Sequence, residues 1–66
     1  MCLLKVYLYE DSLGKKLIAR DIALITKDED VIKLRNLDFE DKTLSNVEIV
    51  LIDTLNSVLL LKKKEG

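Results

Sequence analysis

Apolar and polar side chains alternate along much of this chain with the period of a β-strand. In Cys2-Leu3-Leu4-Lys5-Val6-Tyr7-Leu8-Tyr9, a period of two places Cys2, Leu4, Val6 and Leu8 on one face and Leu3, Lys5, Tyr7 and Tyr9 on the other. Cys2 is therefore in register with the expected core face, at its end. The polar stretch Glu10-Asp11-Ser12-Leu13-Gly14 contains a glycine able to take positive φ, and predicts a hairpin connection into a strand over residues 15–20. Asp21-Ile22-Ala23-Leu24-Ile25-Thr26 leads through the charged turn Lys27-Asp28-Glu29-Asp30 to Val31-Ile32-Lys33-Leu34-Arg35, a second predicted hairpin. Residues 36–46 form the least regular segment, and Phe39 is its expected apolar anchor.

Ser45-Asn46-Val47-Glu48 matches a helix capping box, which raises the alternative of a helix from Val47. The residues that follow argue against it. Val47, Ile49, Val50 and Ile52 are β-branched, which restricts χ1 in a helix and suits a pleated surface. Asn56-Ser57 then turns the chain into residues 58–63, so the last third predicts a β-hairpin. Both faces of this hairpin are apolar: Val47, Ile49 and Leu51 against Val50 and Ile52, then Val58 and Leu60 against Leu59 and Leu61. A strand in a small single sheet should keep one face in water. Two covered faces therefore predict closure into a small barrel on one side and a partner subunit on the other.

Length sharpens that expectation. The 66 residues make a single domain, of a size that buries only about 60% of the surface of its unfolded chain. One cysteine cannot form an internal disulfide, and without histidine there is no zinc-finger ligand set, so oligomerisation is the remaining staple. The 11 basic and 12 acidic residues leave a net charge of −1, which supplies no general attraction to nucleic acid or anionic membranes. The sequence has no basic leader followed by a long apolar run, and its longest apolar runs are far too short to span a bilayer, so a cytoplasmic, membrane-free protein is expected.

Enzyme constellations are missing. There is no glycine-rich phosphate loop, no paired-histidine metal motif, and no histidine to act as a general base. Asp28, Glu29, Asp30, Glu40 and Asp41 read as solvated turn charges, and Lys62-Lys63-Lys64 as a charged chain end. No catalytic residue is expected.

Cys2 carries the one distinctive chemistry. With Met1 at the chain start, the Met1 α-amine, the Cys2 amide nitrogen and the Cys2 thiolate form two fused five-membered chelate rings. That planar nitrogen and sulfur set suits nickel(II) or copper(II), whereas zinc prefers tetrahedral sites. Were Met1 removed, the Cys2 amine and thiolate would still form one ring, and two subunits could pool theirs. On spacing alone the inert reading is favoured: Cys2 as a small hydrophobe closing the end of the core.

Met1-Cys2 with two apolar residues and Lys5-Val6, a hairpin turn, Asp21-Ile22, and Ile52-Asp53 turning into Val58-Leu59-Leu60 together resemble the CooT family over nearly the whole chain. The resemblance implies an all-β, SH3-like antiparallel β-barrel, homodimeric and cytoplasmic. It further implies a metallochaperone that binds nickel(II) at Cys2, with the Met1 amine as companion, and serves an acceptor apoprotein, carbon monoxide dehydrogenase, during its maturation. Two other readings stand beside it. A small barrel could bind RNA through Lys5, Tyr7 and Tyr9, a reading that the balanced charge opposes. A purely structural dimeric module would bind neither metal nor nucleic acid.

Overall fold

The structure, a computed structural model, describes residues 3–11 and 14–64. Among them the chain forms six strands: β1 (Leu4–Glu10), β2 (Gly14–Asp28), β3 (Val31–Asn36), β4 (Asp41–Ser45), β5 (Val47–Asp53) and β6 (Val58–Lys63). They make one sheet in the order β4-β3-β2-β1-β6-β5. Neighbours are antiparallel except β1 and β6, which run parallel.

The alternation in β1 holds as expected, with Val6 and Leu8 buried between exposed Lys5 and Tyr9. Gly14 begins β2 with φ 72°, and nothing lies within 4 Å of a Cβ built there, so glycine serves the turn's backbone angle and not close packing. The two strands expected over residues 15–26 are one 15-residue strand. Its first half pairs with β1, up to Leu4 opposite Ile22, and its second half pairs with β3, from Ile22 opposite Asn36. Asp21, at φ 57°, and the register shifts on either side bend the strand between its two partners without breaking it. Aspartate is among the few side chains that take this conformation readily.

The irregular segment holds a strand the pattern does not reveal. In β4 (Asp-Lys-Thr-Leu-Ser) only Leu44 is partly buried, so the apolar signal is a single residue. Phe39 is no anchor, since it lies 80% exposed in the β3–β4 turn. The capping-box sequence is extended as expected, with Val47 opening β5.

Asn46 alone separates β4 from β5, which are the two edges of the sheet. The sheet must therefore curl until its edges meet end to end at this residue. Asn46 sits at φ 62°, its amide donates to the Asp30 carbonyl (3.0 Å), and its carbonyl accepts from the Lys64 amide (2.8 Å). The ladder itself stays open, because β4 and β5 do not pair with each other. Inside the curl lie Val6, Leu8, Ile22, Ile32, Leu34, Val47, Leu59 and Leu61.

The expected face assignment in β5 fails for a local reason. Ile49 pairs with Leu61 and Leu51 pairs with Leu60, so Val50 is an extra residue, a β-bulge. A one-residue slip reverses side-chain direction. Val47 and Ile49 face the core, whereas Leu51 joins Leu60 on the outer face.

Candidate functional site

Met1 and Cys2, the metal ligands expected from the sequence, lie outside the described residues. β1 begins at Leu4, and its first amide beyond that point is anchored: Lys5 N–H donates to the Ser57 carbonyl at 3.0 Å, joining the strand start to the β5–β6 turn. The pairings Leu4 with Ile22, Ile22 with Asn36, Lys5 with Val58 and Val58 with Asp53 put both the β3–β4 and β5–β6 turns at this end of the sheet. Each turn is organised by one side chain. Asn36 Oδ1 accepts from the amides of Asp38 (2.9 Å) and Glu40 (3.0 Å), while its Nδ2 donates to Glu40 Oε1 (2.9 Å). Asp53 Oδ1 accepts from the Asn56 amide (3.0 Å) and Oδ2 from Asn56 Nδ2 (2.9 Å), bonds that hold its carboxyl below the ordinary aspartate range.

These turns present large apolar side chains to water: Phe39 at 80% exposure and Leu55 at 90%. Phe39 also has φ 61°, an unusual angle for a bulky residue, and the Asn36 bonds hold the turn in that shape. Beside them, Arg35 Nε and Nη2 grip Asp41 Oδ1 and Oδ2 at 2.7 and 3.1 Å, which depresses the Asp41 pKa and raises that of Arg35. Among the described residues no group of three or more metal-ligating side chains converges.

The opposite end is polar. Tyr9, Glu10, Asp11, Lys62, Lys63 and Lys64 line a shallow pocket of about 150 Å³. Lys64 is committed to an ion pair with Asp30, which lowers the Asp30 pKa first through the hydrogen bond and then through charge.

The face proposed for nucleic acid is largely aliphatic. Leu17, Tyr7, Leu60 and Leu51 are directly paired neighbours across β2, β1, β6 and β5 and form one outer row. Leu17 is 45% and Leu51 48% exposed. Lys15 lies over the Tyr7 ring, 5.3 Å from its centroid. This row was partly legible in the sequence as two-sided apolar strands, but Leu17 was not, because its partner was unknown.

The class these features define is a small, six-stranded, all-β domain, curled around one core. No helix of the described residues is long and apolar enough to cross a membrane. No family model matches the chain, and no curated protein matches it. Among solved structures the chain is similar to one described as "putative CooT from Carboxydothermus hydrogenoformans", with a TM-score of 0.82 and 14% identity, over 97% of this chain and all of that one. The two share their fold.

Proposed function

We propose that this chain is a nickel(II)-binding accessory protein and not an enzyme, an SH3-like barrel that acts as a cytoplasmic homodimer. The Cys2 thiolate holds the ion, with the Met1 α-amine as second donor where that amine is free, and the protein passes it to an acceptor apoprotein, carbon monoxide dehydrogenase in the first instance. The observation that carries this reading is the fold shared over 97% of the chain with the protein described as a CooT, in a sequence that opens Met-Cys. The chemistry agrees with it: a thiolate and an amine adjacent in the chain make a chelate suited to nickel(II), and delivery asks for an accessible ion and not a closed pocket. The leucines that flank Tyr7 on the outer row, Leu17, Leu60 and Leu51, offer a base no ring to stack on and weigh against the RNA-binding alternative.

Nickel titration followed by thiolate charge-transfer absorption and native mass measurement tests the reading. The native protein should take up nickel(II) with that absorption, and Cys2→Ser should lose it while keeping fold and subunit number. Adding two residues before Met1 converts its amine to an amide and should weaken binding and alter the spectrum. Binding should also weaken as pH falls, because protons compete for amine and thiolate. Equal affinity in the native protein and Cys2→Ser would overturn the site.

A further inference from the structure

The outer face of β2, β1, β6 and β5 carries more than an apolar row. Toward the polar end of the sheet, the next outward positions are Lys15, Tyr9, Lys62 and Glu48, since Lys15 pairs with Tyr9, Tyr9 with Lys62, and Lys62 with Glu48. Toward the other end the outward positions are Lys5 on β1, Val58 on β6 and Asp53 on β5. The face therefore has a leucine and tyrosine centre, a cationic margin at β2 and acidic residues along β5. An apolar row that spans four neighbouring strands is a contiguous patch and not scattered exposure.

Resting on the homodimer reading above, we infer that this face is the dimer seam, packed against the same face of a second copy about a two-fold axis parallel to the strands. Only two in-plane axes align the strands of two stacked sheets. An axis along the row would lay β5 on β5 and bring Glu48 against Asp53 of the partner subunit, a like-charge contact. An axis along the strands reverses strand order and keeps the rows. Leu17 then lies over Leu51 of the partner subunit, Tyr7 over Leu60 of the partner subunit, and Lys15 over Glu48 of the partner subunit. Every contact occurs twice, as a closed two-fold interface requires. Charge selects the second arrangement, because opposed like charges penalise an interface far more than a rim pair stabilises it. The same axis sets both β1 strands with their beginnings at one end of the dimer.

Sedimentation equilibrium of the full chain and four variants tests the seam and its axis. Leu17→Lys and Leu51→Lys should each raise the dimer dissociation constant by more than about tenfold, since each places two lysines in the apolar centre. Lys15→Glu and Glu48→Lys should each weaken self-association by several-fold, while an equimolar mixture of these two should associate as tightly as the native protein, because each mixed dimer has two opposite-charge pairs, one with the native sign and one reversed. That mixture leaves the apolar row intact, so it tests the axis independently of how the lysine variants fold. A native dimer indifferent to Leu17→Lys and Leu51→Lys overturns this seam but leaves the homodimer standing. A mixture no tighter than its components overturns the axis, and a monomeric native protein overturns seam and homodimer together.

Discussion

The inner and outer faces of β1 and β6 are built from the same kinds of residue and do different work. Inside, Val6, Leu59 and Leu61 are fully buried. Outside, Leu60 and Tyr7 are half-buried, flanked by Leu17 and Leu51 at nearly half exposure. The inner row is closed by the curl of the sheet, which brings Ile32 and Leu34 of β3 over it. Among the described residues nothing covers the outer row in this way. Folding requires the first and does not require the second, so the outer face is free to serve contact with another molecule.

The largest expected effect breaks the inner face. Leu59→Ala removes a fully buried side chain from the centre of the core and should cost about 2–5 kcal/mol, enough to unfold much of a domain this small at ordinary temperature. Urea unfolding of the variant beside the native protein measures it.

Next comes the joint where the sheet edges meet. Asn46→Val forces a β-branched residue to φ near 62° and should cost about 1–2 kcal/mol, whereas Asn46→Gly should be nearly neutral. Both keep the amide and carbonyl that bond Asp30 and Lys64. Equal loss in the two variants would show that the Asn46 side chain, and not its backbone angle, holds the joint.

Acid should act more weakly. Asp30, Asp41 and Asp53 all have pKa values depressed in the folded protein, by Lys64, Arg35 and Asn56 respectively. A depressed carboxyl contributes stability that is present above its unfolded pKa, about 3.9, and is lost as pH falls through its folded value. Melting temperature should thus show no pH dependence from these groups near neutrality, where their contribution is fully present, and a decline below about pH 4. The contributions of Asp30 and Asp41 come from exposed ion pairs and should shrink in high salt. That of Asp53 comes from amide donors and should persist. Asp53→Asn compared with Asp41→Asn at two ionic strengths separates them.

The smallest effect on stability sharpens the comparison most. Leu51→Lys should change the unfolding free energy of the monomer by no more than about 0.5 kcal/mol, measured at concentrations low enough to dissociate any dimer. A leucine substitution that destabilises Leu59 and Leu51 alike would erase the distinction between the faces.

Period-two alternation was enough to read β1, β3 and the β5–β6 hairpin, because each carries several apolar residues and a turn with recognisable chemistry. The β-branched residues from Val47 to Ile52 were enough to reject a helix after Ser45, since local β-branching outweighs a capping motif. The metal chemistry expected at Met1 and Cys2 rests on their covalent adjacency and on the family resemblance, and both residues lie outside the described part of the structure. Other features were settled only in three dimensions. The strand β4 has a single apolar residue turned inward and is made a strand by pairing with β3. The 15-residue β2 is continuous because two different neighbours satisfy its two halves. The parallel pairing of β1 with β6 joins segments at opposite ends of the chain, which no local pattern encodes. The bulge at Val50 decides which leucine faces water, and a bulge is set by the register of the partner strand. The outer row itself is a product of that register: Leu17, Tyr7, Leu60 and Leu51 become neighbours only when four strands are aligned side by side.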